Sequence, residues 1–175
     1  MKKYQLLTLI AITMLVVSCS NNGNKSFVPT FKADFEGGGD WINSYTIGKF
    51  GGVTGEYCSK VDSVNQNSYG LSKLVSEISS YPILRVKINL SVKLASLSKK
   101  ALLVISLTDK NNKCLYWSGT EVNPVVKEAN KWYNFESEQK FPDFDSSGSN
   151  IRIYLWNPNN NEAYIDDFKI QFFEE

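Results

Sequence analysis

The residue types that carry most enzyme chemistry are sparse in this sequence, and one of them is absent. The 175 residues contain no histidine, which is the commonest general base and metal ligand near neutral pH. Ser-His-Asp and Cys-His catalytic sites and histidine-based zinc sites are therefore excluded. Acidic pairs are left as candidates for acid–base catalysis, as in glycoside hydrolysis.

Glu136 and Glu138 form the acidic pair whose spacing fits that chemistry. Two residues apart on a strand, their side chains share one face at about 7 Å, inside the range of about 5 to 10 Å that glycosidases use. The stretch 136–140, Glu-Ser-Glu-Gln-Lys, lacks the central and third acids of the Glu-x-Asp-x-Glu strand of sandwich glucanases. We interpret the glutamates as solvated charges that discourage pairing at a sheet edge, and we predict that the protein is not an enzyme.

The N-terminal residues predict export and attachment to a membrane. Lys2 and Lys3 precede an apolar run from Leu6 to Val17, which is too short to cross a bilayer of about 30 Å as a helix and is typical of a signal peptide. The segment Val16-Val17-Ser18-Cys19 resembles the bacterial lipobox, whose cysteine is lipidated and becomes the new N-terminus. We therefore expect a signal peptide over residues 1–18 and a lipid anchor on Cys19.

The residues after Cys19 predict a tether rather than a folded element. Residues 19–30 begin with small polar side chains that have no periodicity, which is typical of a flexible linker. We expect the protein in the cell envelope, outside the cytoplasm, with the outer membrane as the favoured location. No acidic cluster follows Cys19, so the face of the membrane is left open.

Cys58 and Cys114 are the two remaining cysteines. An exported protein can form disulfides, so the two thiols either pair or stay separate and buried, and the sequence leaves both alternatives open. Two cysteines without a histidine make a poor metal site.

Composition indicates one ordinary folded domain over residues 31–175. The hydrophobic content of 42% and the aromatic content of 13% can build a core. The 19 basic and 18 acidic residues leave a formal charge of +1, which offers no basic surface for nucleic acid. We therefore expect no nucleic-acid partner.

Alternation of apolar and polar residues predicts an all-β domain. From Leu84 to Leu94 every second residue is apolar, as in a long strand with one face in the core. Leu71 to Ser79 has weak helical spacing, enough for a single turn or a short helix. Asn157 to Asn161 has turn chemistry, and we expect it to join its neighbouring strands as a hairpin. Further strands are predicted at 101–108, 113–117, 132–138, 151–156 and 168–172, which together favour an antiparallel β-sandwich.

The two ends of the domain carry a family resemblance. Asp34-Phe35-Glu36, followed by Trp41, opens the domain, and the segments 151–158 (Ile-Arg-Ile-Tyr-Leu-Trp-Asn-Pro) and 163–170 (Ala-Tyr-Ile-Asp-Asp-Phe-Lys-Ile) close it. In this order, the segments resemble the first and last strands of galactose-binding-like jelly rolls, the fold of many carbohydrate-binding modules. The resemblance implies a jelly-roll β-sandwich.

The resemblance also implies a structural calcium site. Many such modules hold Ca²⁺ where the first and last strands meet, and Asp34, Glu36, Asp166 and Asp167 match those ends. Glu36 and Asp167 are the favoured side-chain ligands, because two carboxylates with several carbonyls suffice for this ion. The alternative is that Asp166 and Asp167 straddle a bulge, one facing solvent and one capping a backbone amide.

Carbohydrate binding would depend on residues that face outward from a sheet. If the apolar side chains of 151–155 face the core, Arg152, Tyr154 and Trp156 share the opposite face. Aromatic planes stack on the C–H face of a sugar ring, while guanidinium and amide groups bond its hydroxyls. By the same alternation Arg85, Asn89 and Asn134 point away from the core, and we expect one outer sheet face to carry these Trp, Tyr, Arg and Asn side chains. The full set of predicted carbohydrate-binding residues is Arg85, Asn89, Asn134, Arg152, Tyr154 and Trp156.

Other aromatic residues have a plainer interpretation. We expect Trp41 and Trp132 to lie half-buried under a loop, or to fill the second face of a sheet that its own connections cover. Tyr116 and Trp117 occupy opposite faces of one strand, so at most one of them joins a shared surface. A ligand could instead bind the loop end near Gly37 to Asp40 and Gly51-Gly52.

The sequence thus predicts a lipid-anchored, non-catalytic module that binds a polysaccharide or an oligosaccharide. The alternative is a structural or protein-interaction subunit of an envelope complex, with no sugar ligand. An open outer face at Arg152, Tyr154 and Trp156 favours the first prediction, and a face buried by loops favours the second.

Overall fold

A computed structural model describes residues 29–37, 39–142 and 148–174. The predicted signal peptide and Cys19 lie outside the described residues. In the part of the chain described, no helix is long and apolar enough to cross a membrane.

The described residues form ten strands and very little helix. One α-helical turn, α1, covers Val75–Ile78, and two 3₁₀ turns cover Ser44–Thr46 and Asn123–Val125. The strands are β1 (Thr30–Ala33), β2 (Ile47–Gly48), β3 (Cys58–Val61), β4 (Leu71–Leu74), β5 (Arg85–Leu94), β6 (Leu102–Thr108), β7 (Cys114–Glu121), β8 (Trp132–Lys140), β9 (Asn150–Trp156) and β10 (Ala163–Phe173).

The strands form two antiparallel sheets. The six-stranded sheet has the order β2-β3-β10-β5-β8, with β1 also paired to β10, and the four-stranded sheet has the order β4-β9-β6-β7. The predicted all-β antiparallel sandwich is confirmed.

The core lies between the two sheets and follows the alternation in the sequence. Every second residue of β5 is buried, from Val86 to Leu94, and Ile151, Ile153 and Leu155 of β9 are buried opposite them. At one end Trp41 stacks on Tyr69, with ring centroids 5.6 Å apart. These inward side chains fix which residues of each strand face solvent, because successive side chains alternate between the faces.

The connection between β9 and β10 differs from the prediction. The strands on either side of 157–161 lie in different sheets, so the expected hairpin is wrong and the segment crosses the sandwich. Asn157 and Asn161 are buried at this corner. The Asn161 N–H donates to Asn157 Oδ1 at 2.6 Å, and Asn157 Nδ2 donates to the carbonyl of Asp62 at 3.1 Å. Amide side chains thus replace the ladder bonds that a hairpin would have made.

The helical pattern of 71–79 is confirmed only in its second half. Leu71–Leu74 forms β4, which pairs with β9, and the single turn α1 follows it. Pairing with a neighbouring strand outweighs a weak local helical preference.

The two cysteines remain separate thiols. Cys58 is buried on β3 and Cys114 is exposed on β7, so they lie in different sheets and both are free. Burial raises the pKa of the Cys58 thiol to about 11.

Candidate functional site

The outer face of the four-stranded sheet carries an aromatic and polar surface. Because the inward residues of β9 are buried, Arg152, Tyr154 and Trp156 face outward, as predicted. Trp117 on the edge strand β7 lies on the same face, since it is aligned with Arg152 through Ser106 of β6. We call the surface formed by Trp117, Arg152, Tyr154 and Trp156 the tryptophan face.

Two indoles dominate the tryptophan face. The ring centroids of Trp117 and Trp156 lie 6.4 Å apart, with the rings nearly perpendicular at 86°. Trp117 is 50% exposed, and Trp156 is half-buried. Val104 has an outward position between them but is 0% exposed, so the surrounding side chains cover it. The face therefore offers aromatic surface above an apolar floor.

A glycine sets the position of the Trp117 ring. Gly119 lies two residues further along β7, on the same face, and a Cβ there would come within 2.6 Å of Trp117 Cη2. The far end of the indole thus occupies the space that any larger residue would fill.

Arg152 gives the tryptophan face its charge. The side chain is exposed, and it has no hydrogen bond or ion pair with any residue that the structure describes. Its flanking positions are Ser72 on β4 and Ser106 on β6. Burial raises the pKa of the neighbouring Tyr154 hydroxyl, and the Arg152 guanidinium partly opposes that rise.

The other predicted carbohydrate-binding residues lie on the opposite side of the molecule. Arg85 and Asn89 belong to β5 and Asn134 belongs to β8, both in the six-stranded sheet. Their expected assembly with Arg152 on one outer face is wrong, because the outer faces of two packed sheets point in opposite directions. Arg85 is also engaged by Glu138 at 2.9 Å.

Trp132 and Trp41 are both covered, by different means. Trp41 is buried in the core, which is deeper than the half-buried position expected for it. Trp132 is half-buried on the outer face of the six-stranded sheet, where Lys93 Nζ lies 4.6 Å from its ring centroid and 4.3 Å from that of Tyr164. A lysine, rather than a loop, covers Trp132.

The two glutamates weighed as a catalytic pair are held in ion pairs. Glu136 pairs with Lys87 and Glu138 pairs with Arg85, both across the β5–β8 ladder. β8 is an edge strand of its sheet. The interpretation of the glutamates as edge charges therefore fits the structure.

The acids matched to calcium hold a glycine-rich loop. Asp166 is buried, and its Oδ2 accepts the N–H of Val53 at 2.6 Å and of Thr54 at 3.2 Å. Burial raises the pKa of Asp166 despite these donors. Glu36 Oε1 likewise accepts the N–H of Tyr57 at 2.7 Å.

Asp34 and Asp167 also have local partners. Asp34 accepts the N–H of Glu36 at 3.2 Å, and Asp167 accepts the hydroxyl of Thr54 at 2.7 Å from a register shift in β10. Within the described ranges, no three acidic or cysteine side chains come together as a metal site. These contacts favour the capping role weighed for Asp166, and calcium binding stays a prediction.

Sequence reasoning missed Trp117, one of the four residues of the tryptophan face. Parity indicated that Tyr116 and Trp117 point in opposite directions, but only the structure shows which one points outward. Tyr116 packs on Phe141 at 5.5 Å beside the core, which leaves Trp117 exposed.

Comparison with known proteins gives structural likeness only. No protein-family model matches the sequence, and no curated protein is significantly similar to it. Among solved structures, the CBM22-1 xylan-binding domain of Xyn10C from Paenibacillus barcinonensis is 17% identical with a TM-score of 0.54, covering 85% of this chain and 97% of that one. The CBM22-2 domain of the same protein is 19% identical with a TM-score of 0.57, covering 81% and 98%.

A third structure, described as a xylan-binding domain from CBM 22, is 13% identical with a TM-score of 0.56, covering 83% of this chain and 95% of that one. At such low identities the likeness shows the fold alone. The chain has the β-sandwich fold of these carbohydrate-binding modules.

Proposed function

We propose that this protein is a non-catalytic carbohydrate-binding module that holds a polysaccharide on the tryptophan face. The observation that carries the proposal is the pair of indoles on one outer sheet face, where Trp117 is 50% exposed and Trp156 is half-buried. Structures described as xylan-binding domains share the fold, which supports the same class of ligand.

Stacking and hydrogen bonding would act together on this face. Sugar rings present apolar C–H surfaces that pack on indole planes. Polar groups beside the indoles then fix the orientation of the chain, since Ser106 and Ser72 flank Arg152 with hydroxyls that can donate or accept. Binding of this kind needs no acid–base residue, in keeping with the absence of histidine and the ion pairing of Glu136 and Glu138.

The anchor belongs to the same proposal. A lipid on Cys19 would keep the module in the cell envelope, outside the cytoplasm, so that a bound polysaccharide stays at the membrane. The full-length protein produced in a bacterium is expected to enter the detergent phase of a Triton X-114 partition, and Cys19→Ser to stay in the aqueous phase. Partition of both into the aqueous phase would contradict the anchor.

An envelope interaction subunit is the second candidate function. Leu74 on β4 and Leu115 on β7 are 42% and 41% exposed at the two margins of the four-stranded sheet. Exposed apolar side chains at both margins would suit a protein partner. Failure of every glycan to bind would favour this second function over carbohydrate binding.

Affinity electrophoresis of the soluble fragment 21–175 through gels that contain a panel of polysaccharides tests the proposal. Trp117→Ala and Trp156→Ala are each expected to weaken binding at least tenfold, about 1.4 kcal/mol, because each removes a stacking surface. Trp132→Ala on the opposite sheet is the matched control and is expected to bind normally. Retardation by no polysaccharide, or equal loss in all three variants, would contradict the proposal.

A further inference from the structure

The sequence contains two arginines, and the structure places them in opposite situations. Arg85 is held by Glu138 at 2.9 Å, and its guanidinium lies 3.9 Å from the ring centroid of Phe173. Arg152 is exposed on the tryptophan face and has neither an ion pair nor a ring contact with any described residue. One arginine therefore stabilises its own sheet, and the other presents five unused donors to solvent.

Among the described residues, none pairs with the charge of Arg152 on its own sheet face. The outward side chains nearest to it in register, Ser72 and Ser106, are uncharged. Glu121 on β7 is an acid of this face within the described ranges, but it is paired with Lys100 and lies in the row of Trp156, four residues along the sheet from Arg152. Four residues of strand span about 13 Å, beyond the Debye length of about 8 Å at physiological salt. A ligand near Arg152 therefore meets a local positive charge.

Arg152 lies beside the two indoles on the same outer sheet face. It shares a cross-strand row with Trp117, two strands away, which is about 10 Å at normal strand spacing. Trp156 lies on the same strand as Arg152, about 13 Å further along. An oligosaccharide that spans the two rings thus brings a neighbouring sugar residue within reach of the guanidinium.

We infer that the tryptophan face selects acidic polysaccharides, whose uronic acid carboxylates are bound by Arg152. The inference rests on the proposed function and names the ligand class of that same site. The planar guanidinium fork matches a carboxylate with two parallel hydrogen bonds, and such charge-assisted bonds are about twice as strong as neutral ones. Neutral glycans keep the stacking but lose this contact, so Arg152 determines specificity rather than binding as such.

Titration calorimetry with two matched ligands tests the inference. Oligogalacturonate carries a carboxylate on every ring, and its methyl ester removes the charge while keeping the ring. The fragment 21–175 is expected to bind the acid at least tenfold more tightly than the ester. Arg152→Gln should lower the affinity for the acid to that for the ester and so remove the preference, whereas Arg152→Lys should retain part of it because the charge is kept.

Lys169→Gln supplies the control, because Lys169 is an outward cation of β10 on the opposite sheet. It is expected to leave both affinities unchanged, and unfolding curves should show that the Arg152 variants fold normally. Equal affinity for acid and ester, or tight binding of a sulfated glycan with none of oligogalacturonate, would overturn the inference. If a neutral glycan still binds through Trp117 and Trp156, the proposed function survives; if no glycan of any charge binds, both fall.

Discussion

Gly119 shows how a single residue can shape the candidate binding surface. The far end of the Trp117 indole lies where a Cβ at position 119 would stand, 2.6 Å away. Real side chains do not tolerate that separation, so the ring keeps its place only beside glycine. The atom that a Cβ would meet lies at the far end of the Trp117 side chain. The ring can therefore move away from a larger residue at position 119 without disturbing the core.

Gly119→Ala is therefore expected to displace the Trp117 ring and to weaken glycan binding several-fold. Stability should change by less than about 1 kcal/mol, because alanine suits a strand at least as well as glycine. Affinity electrophoresis measures the first effect and urea unfolding the second. Gly37→Ala is the control, because a Cβ at position 37 would meet open space. Gly51→Ala would not serve, because Gly51 has a positive φ of 76° that a larger residue would strain. Normal binding by Gly119→Ala would contradict the role of Trp117.

The alternation of residues along a strand predicted the direction of the side chains correctly only where the strand has one apolar face. Arg152, Tyr154 and Trp156 were predicted to face outward, and they do, because isoleucine and leucine occupy every inward position of β9. In β7 both faces carry aromatic or polar side chains, so parity separated Tyr116 from Trp117 without orienting either. The structure orients them by packing Tyr116 against Phe141.

At the scale of elements, the segment between β9 and β10 explains the main error in the fold prediction. Asparagine, proline and asparagine in succession are typical of a hairpin turn, and the same residue types also serve a corner between sheets. Here the decisive feature is tertiary: Asn157 and Asn161 are buried, and Asn161 Nδ2 donates to the carbonyls of Ser96 and Lys99 at 2.9 Å. These partners are distant in the sequence, so no local sequence pattern could have identified them.

Asn157→Ala should destabilise the domain by about 2 to 4 kcal/mol, because it leaves the part-buried Asp62 carbonyl and the buried Asn161 N–H without their partner. Chemical denaturation measures the free energy of unfolding. Asn159→Ala, at an exposed position of the same turn, is the matched control and should change stability by less than about 0.5 kcal/mol. Similar losses in both variants would show that the amide network does not hold the corner.

For the whole molecule, the sequence was sufficient for the fold class but not for the assignment of strands to sheets. Alternation in β5 and β9 predicted an antiparallel sandwich, and two such sheets are observed. Nothing in a strand's own residues indicates which sheet it joins, so Arg85, Asn89 and Asn134 were placed with Arg152 although they lie on the opposite face. The same separation isolates the tryptophan face from the charged ladder of β5 and β8.

The four tryptophans allow one measurement to test the central claim, that the tryptophan face binds a polysaccharide. Trp117 and Trp156 lie on that face, Trp132 lies on the opposite sheet and Trp41 is in the core. Nuclear magnetic resonance of the indole N–H groups, assigned with single Trp→Phe variants, reports each site during titration with an oligosaccharide. We predict that the signals of Trp117 and Trp156 shift together, while those of Trp132 and Trp41 stay in place. A shift of Trp132 with Trp117 and Trp156 unmoved, or no shift with any glycan of the panel, would contradict the account.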